Sequence, residues 1–338
     1  MGLSPKKMFD ALVFMIQNKE PIMLVGSPGC GKTELVKQAC KATKNKLVIM
    51  HPVVSSPTDF KGLPFLSSDG ESADFMPYGD LKILVDAKEK TVFFLDDLGQ
   101  SSASVQAACM QLILERKLNG HKISDNITFI SATNRTTDRA AVTSVLEPLK
   151  SRNIVIELDI SVDDWVDWAM KNKMPETIIS FVRFKPDSIT KFVPSKHIVN
   201  TSSPRTVATV GRLINMGIPE DCLLDIITGA AGAGFAIEYI AFSNVYGSIP
   251  TFAEILRNPK TCKMPSTVDE KYAISGMISY NASNAKTFDM VMDYIYRLPI
   301  EFQVQIVKET IRLHKGACNA KKFDEWNSKH KELILEGE

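Results

Sequence analysis

The segment Pro21–Thr33 reads PIMLVGSPGCGKT, and its residue types and spacing suit the capture of phosphate. Gly26, four intervening residues, Gly31, Lys32 and Thr33 complete the pattern G-x-x-x-x-G-K-T. Glycines let successive backbone N–H groups converge on phosphate oxygens, and a following helix adds the positive end of its dipole. Lys32 is expected to reach the terminal phosphates, and Thr33 to offer its hydroxyl to Mg²⁺. The expected nucleotide-contacting set is Gly26, Pro28, Gly29, Cys30, Gly31, Lys32, Thr33 and Glu34. The apolar run Ile22–Val25 and the helical pattern Glu34–Thr43 supply the strand–loop–helix setting this pattern requires. These residues imply a bound nucleoside triphosphate.

Five further positions could act on that triphosphate. The stretch TVFFLDDLGQ ends an apolar strand in Asp96 and Asp97. Asp96 is placed to hold Mg²⁺ through its water shell, and Asp97 to polarise an attacking water. A plain pair of capping acids after a strand is the alternative. The next apolar strand ends in ISATNR, so Asn134 could hydrogen-bond both the γ-phosphate and the water. Arg152, in LEPLKSRNIVIEL, precedes a fifth strand and is a candidate charge-stabilising finger supplied across a subunit boundary. Lys150 competes for that role, and a surface ion pair is the simpler alternative for Arg152. Arg205, in SSPRTVATV, follows Pro204 at the first turn of a helix and is a second candidate contact for the phosphates.

The elements that must position these residues alternate along the first half. Strands are expected at Ile22–Val25, Leu47–His51, Thr91–Leu95, Thr128–Ala132 and Ile154–Leu158. Short apolar runs separated by helical patterns predict a parallel sheet covered on both faces. Two hairpins interrupt the alternation: Phe65–Met76, turning near Asp69–Gly70, and Lys117–Ile123, turning at Asn119–Gly120. From Ser161 onward the pattern is helical, with Ser161 and Asp164 set as a capping box. Helices are expected at Glu176–Phe184, Pro204–Met216, Glu220–Ser243, Val268–Tyr280 and Thr287–His314, with a mixed-charge helix from Lys321. The run GAAGAG (Gly229, Gly232, Gly234) follows a helix rather than a strand, so close helix packing is expected there, not dinucleotide binding.

Bulk properties narrow the function classes. The 338 residues are 44% hydrophobic and 23% charged, ordinary for a globular protein with a real core. Lys and Arg total 40 against 39 acids, a formal charge of +1, which gives no global attraction to nucleic acid or anionic membrane. No run approaches the roughly 20 apolar residues of a membrane span. The N-terminal stretch MGLSPKKMFDALVFMIQ is interrupted by Asp10 and Gln17, so an amphipathic helix is expected rather than a signal peptide. Six scattered cysteines, one of them inside the phosphate loop, fit a reducing, cytoplasmic compartment. The five histidines lie too far apart in sequence for metal-ligand spacing.

In this order and spacing, GSPGCGKT, FFLDD, ISATN, SR before the fifth strand and SPRT resemble the AAA+ ATPases. The segment Ser56–Leu81 falls where the helix-2-insert branch carries an extra hairpin, and SVQAACMQLILERKLNGHKI is similar to the helix and hairpin of the MoxR group. The chain resembles MoxR-like ATPases, especially short ones encoded in phage genomes. That resemblance implies an α/β fold with a P-loop AAA+ five-stranded parallel αβα core in 5-1-4-3-2 order, a helical lid and a helical C-terminal extension. The corresponding boundaries are 1–160 for the core, with the insert hairpin near 60–78, then 161–245 for the lid and 246–338 for the extension. It also implies a homo-oligomeric ring, usually a hexamer, with ATP and Mg²⁺ at subunit interfaces. The implied work is remodelling of a protein client, often through a partner bearing a von Willebrand factor A domain. Lys61, Phe65 and Phe75 of the hairpin would face the pore or client, or else the hairpin packs on its own core. One departure stands out: the family's Asp–Glu pair is Asp96–Asp97 here, shorter by one C–C bond of about 1.5 Å. Two other readings stay open. A nucleic-acid-directed ATPase, such as a helicase loader or restriction-type translocase, is disfavoured by the lack of a basic cluster. A slow-hydrolysing, nucleotide-gated switch or scaffold is favoured by the shorter Asp97.

Overall fold

The computed structural model describes residues 2–67, 70–118, 120–138, 145–195 and 197–335. Contacts divide the chain into two compact units. The first comprises Met1–Asp164, Phe192–Lys196 and Ser203–Arg205; the second comprises Trp165–Lys191, His197–Ser202 and Thr206–Glu338.

In the first unit the strands are β1 (Ile22–Val25), β2 (Lys46–Met50), β3 (Leu63–Leu66), β4 (Ala73–Met76) and β5 (Thr91–Leu95). They are followed by β6 (Lys117–Leu118), β7 (His121–Lys122), β8 (Ile127–Thr133) and β9 (Ile154–Glu157). The helices are α1 (Pro5–Asn18), α2 (Lys32–Thr43), α3 (Gly79–Asp86), α4 (Ala103–Glu115) and α5 (Glu147–Lys150). Five strands form one parallel sheet in the order β2-β5-β8-β1-β9. Counted among the sheet strands alone, this is the expected 5-1-4-3-2 order.

Side-chain alternation explains why both faces are covered. On β5, Phe93 and Leu95 join a core with α3 and α4 residues Leu81, Leu84, Val105 and Leu112. Val92 and Phe94 join a second core with α1 and α2 residues Met8, Leu12, Val36 and Ala39. Successive side chains of a strand point to opposite faces, so the central strands β5 and β8 are buried along their whole length. The edge strand β9 is not: Ile154 and Val155 are exposed. The chain's own start covers part of that edge. Leu3 pairs in parallel with Leu158, the Leu3 N–H donates to Glu157 O at 2.8 Å, and the Gly2 N–H donates to an Asp159 carboxylate oxygen at 3.0 Å.

Both hairpins are present as short antiparallel ribbons, β3–β4 and β6–β7. Asp69 and Asn119, the expected turn residues, lie outside the described residues; their neighbours Gly70 and Gly120 have positive φ. All eight residues of β3 and β4 are exposed, so the ribbon does not pack on a core of its own. Helix α3 was not expected from the sequence; it fills the interval between the insert hairpin and β5 and buries Leu81 and Leu84.

The helix α6 (Val162–Lys171) leads into the second unit, which continues with α7 (Glu176–Phe184), α8 (Asp187–Thr190) and α9 (Pro204–Asn215). There follow α10 (Leu223–Ala231), α11 (Ala233–Ser248), α12 (Phe252–Arg257), α13 (Val268–Asn281), α14 (Ala285–Ile295), α15 (Ile300–Leu313) and α16 (Lys321–Leu335). Ser161 caps α6 by accepting from the Asp164 N–H at 3.2 Å, but the reciprocal half of the expected box is absent. The Asp164 carboxylate instead accepts from the Lys6 N–H at 2.9 Å. Residues 161–245 and 246–338, expected as lid and extension, contribute helices to one compact unit, in which α13 packs on α7, α11 and α15. Its core is aromatic: Phe181 meets Phe235, Tyr239 and Phe242 edge-on, and Phe184 stacks on Phe242.

Two long helices expected from periodicity are broken. Gly232, at φ 93°, separates α10 from α11, and Pro299 separates α14 from α15. Close packing at GAAGAG is also corrected, because a methyl group at Gly229 or Gly234 would meet nothing. Only Gly232 has a tight neighbour, the Asn200 carbonyl. Among the described residues, no helix is long and apolar enough to cross a membrane.

Candidate active site

The phosphate-loop pattern sits between the C-terminal end of β1 and the first turn of α2. The Gly26 N–H donates to Thr133 O at 3.2 Å, carrying the β1–β8 ladder one step past the strand. Gly29 and Gly31 then adopt φ of 78° and 104°, which L side chains rarely enter. Gly31 is the residue that opens α2, and its carbonyl accepts from the Leu35 N–H. The left-handed turn folds the loop back over the helix N-terminus, where its unpaired N–H groups gather.

Lys32 is 6% exposed, and its ammonium is held by three oxygens. It donates to Asn134 Oδ1 at 2.7 Å, Gly26 O at 2.8 Å and Ser27 O at 3.2 Å. Burial pushes the Lys32 pKa down, and the nearby Arg205 cation adds to this against the pull of Cys30, Asp97 and Asp96. Thr33 donates its hydroxyl to Asp96 Oδ2 at 2.7 Å. Asp96 is 6% exposed at the end of β5, where its own N–H continues the ladder to Met50 O. A hydroxyl and a carboxylate paired this closely on adjacent elements are hard oxygen donors of the kind Mg²⁺ takes.

Asp97 has a left-handed backbone (φ 58°, ψ 32°) and starts a tight 3-10 turn over Leu98–Gln100. Its N–H donates to Asp96 Oδ1 at 3.1 Å, and one of its carboxylate oxygens accepts from Gln100 Nε2 at 2.8 Å. That turn lies hard against β8, since a methyl group at Gly99 would fall 2.0 Å from the Thr133 hydroxyl oxygen. The acidic turn and Asn134, the next residue after Thr133, are thereby locked together.

One cavity of the first unit is lined by Pro28, Gly29, Gly31, Lys32 and Thr33 of the loop, by Asp96 and Asp97, and by Asn134 and Arg205. Arg205 is brought there by its backbone, whose N–H donates to Gly29 O at 3.2 Å. The glycine-shaped loop, the buried ammonium and the Thr33–Asp96 pair together fit a nucleoside triphosphate with its divalent cation.

Four expected site residues lie outside the cavity lining. Gly26 acts through its carbonyl, which holds Lys32. Cys30 belongs to the core beside α1 and α2, and burial raises the pKa of its thiol. Glu34 is exposed on α2 and accepts from Gln38 at 3.1 Å. Arg152 donates to Pro148 O at 2.9 Å and to the Ser151 hydroxyl at 3.1 Å, near the start of β9. Its competitor Lys150 is in a surface ion pair with Glu147.

Sequence reasoning missed Gln100, although its place three residues after Asp97 in DDLGQ is a usable signal in a 3-10 turn. It also missed Arg135, which follows Asn134 and is ion-paired with Glu157 at 2.6 Å and Asp159 at 3.6 Å. That pairing joins segments far apart in sequence and left no local signal.

Comparison with known proteins adds a family match to part of the chain. No curated protein matches the chain. Solved structures similar to it include the RuvB Holliday junction branch migration motor of Thermotoga maritima, at 16% identity and a TM-score of 0.41. That match covers 76% of this chain and 75% of the RuvB chain. NtrX from Brucella abortus is similar at 13% identity and a TM-score of 0.41, over 93% of this chain and 69% of its own. Residues 21–153, which carry the phosphate loop, both acids, Asn134 and Arg152, match the AAA domain of the dynein-related subfamily.

Proposed function

We propose that this chain is a Mg-ATP-dependent ATPase of the MoxR-like AAA+ kind, acting as an oligomer on a protein partner. The observation that carries the ATPase reading is the convergence of Lys32, the Thr33–Asp96 pair, Asp97, Asn134 and Arg205 on one cavity. Lys32 and Arg205 neutralise phosphate charge. Thr33 and Asp96 would hold Mg²⁺, which when bound would offset charge on the phosphate oxygens. Asp97 takes the proton of the attacking water, and Asn134, fixed by Lys32, orients that water. Arg152, outside the cavity of its own chain, is assigned to the nucleotide of a neighbouring subunit.

The exposed β3–β4 ribbon supports a protein client. Phe65 is 62% and Leu66 65% exposed, and apolar side chains displayed on both faces of a thin ribbon suit contact with another polypeptide. A slow, nucleotide-gated switch is the second reading, and one observation favours it: the carboxylate at 97 is a methylene shorter than Glu.

The test is hydrolysis by the purified chain with Mg-ATP. Lys32→Ala is expected to lose nucleotide binding. Asp97→Asn is expected to keep binding and lose about 100-fold or more in single-turnover rate, as removal of a general base does. Hydrolysis by Asp97→Asn at the wild-type rate would remove Asp97 from this role. A wild-type chain that binds ATP tightly and barely turns it over would establish the switch reading instead.

A further inference from the structure

We propose that Gln100 is the positioning residue of Asp97, fixing the direction of the carboxylate that takes the proton from water. The proposal rests on the assignment of Asp97 as the base, and it adds a residue outside that assignment. The 3-10 turn holds the two side chains in register: the Gln100 N–H donates to Asp97 O at 3.0 Å, and Gln100 Nε2 donates to Asp97 Oδ1 at 2.8 Å. A carboxylate swings freely about its last torsion, in a broad two-fold well, unless a donor pins it. Among the described residues the Asp97 carboxylate accepts its side-chain hydrogen bond from the Gln100 amide, so that amide is the contact that selects one rotation of the carboxylate.

The chemistry fixes which way the carboxamide faces. Its oxygen turned toward Asp97 would set two acceptors against each other, so the NH₂ end must face the carboxylate. The other end agrees, because Gln100 Oε1 is buried with no hydrogen-bond partner among the described residues. A side chain that leaves its carbonyl unpaired while its amide contacts the acid is oriented by that one contact. The backbone beneath is equally constrained, by the left-handed start at Asp97 and by the absence of room for a side chain at Gly99. Asp97 and Gln100 therefore act as a pair in which a long amide steadies a short acid.

Two substitutions at Gln100 separate positioning from shape. Gln100→Met keeps the length and removes the donor; Gln100→Glu keeps the shape and replaces the donor with a second carboxylate. Gln100→Met is expected to lower kcat about 10- to 100-fold, the loss that a misplaced group produces. The Kd for a fluorescent ATP analogue should stay within about twofold, because the interaction matters to the reacting geometry and not to binding. Gln100→Glu should lose at least as much. In an Asp97→Asn background Gln100→Met should cost nothing further, since the carboxylate it positions is gone.

An unchanged or raised kcat in Gln100→Met overturns the proposal. So does an equal loss in the Asp97→Asn background, and so does a weakened Kd that accounts for the lost activity. If Asp97→Asn itself hydrolyses ATP at the wild-type rate, the assignment of the base falls and the role of Gln100 falls with it. If Asp97→Asn is slow and Gln100→Met is not, only the role of Gln100 is lost.

Discussion

An ammonium that is 6% exposed must be matched by oxygens, and Lys32 takes two from its own loop and one from Asn134. Burial of a charge is unfavourable unless it is paired, so this arrangement favours an anion that replaces neutral carbonyls with charged oxygens. The same tightness governs Gly99. A methyl group there must displace Thr133, and overpacking of this kind costs about 1–3 kcal/mol. Gly99→Ala is thus expected to lower the denaturant midpoint and slow hydrolysis together, because Asp97 and Asn134 flank the contact. Gly234→Ala, where a methyl group meets open space, is the control: it should be neutral or stabilising by about 0.5–1 kcal/mol. Equal midpoints for the two variants would show that the 99–133 contact carries no constraint. The residues of the loop were legible in the sequence because their chemistry is encoded by local spacing. Gln100 left a local signal that needed the 3-10 turn to be read, and Arg135 left none, since its contacts with Glu157 and Asp159 are set by the folded backbone.

At the level of elements, the sheet strands could be read because a strand buried on both faces is a continuous apolar run. Periodicity alone did not mark the interruptions at Gly232 and Pro299, although both are breaker residues readable in the sequence. Nor could it place Glu176, which opens α7 and accepts from Tyr246 of α11 and from Asn281 of α13 at 2.9 Å. Burial raises the Glu176 pKa above its ordinary 4.5, outweighing those two hydrogen bonds. A raised carboxyl favours the protonated form in the folded chain. Its contribution to stability is therefore complete below pH 4.5 and is lost as pH climbs through the raised value. Glu176→Gln keeps an oxygen to accept both bonds and removes the charge. The variant should match the wild type in thermal midpoint below pH 4.5 and exceed it at pH 8, in a series of melts across that range. A wild-type advantage at pH 8 would show that the ionised form is the stabilising one.

For the whole molecule, the placement of Arg152 outside its own cavity sets the prediction. Arg152→Ala should abolish hydrolysis while leaving ATP binding nearly intact, and Lys32→Ala should abolish both. Mixing the two inactive variants should restore part of the activity if a subunit with a sound loop borrows the arginine of its neighbour. Mass measured with and without ATP reads the assembly directly, and a fully active monomer would overturn the shared site.

The pairing of Leu3 with Leu158, and of Gly2 with Asp159 across 157 positions, bears on the order in which the chain can fold. Strand β9 is the last of the sheet to be synthesised, yet it lies between β1 and the first residues of the chain. During synthesis β1 can pair with β8 before β9 exists, but Leu3 has no strand to join until residue 158 has emerged. Contacts of such long sequence separation are slow to form, so closure of this edge is expected to be the late step in folding the first unit. Until then the N-terminal residues and one side of β1 are the exposed strand-forming surface of the nascent chain.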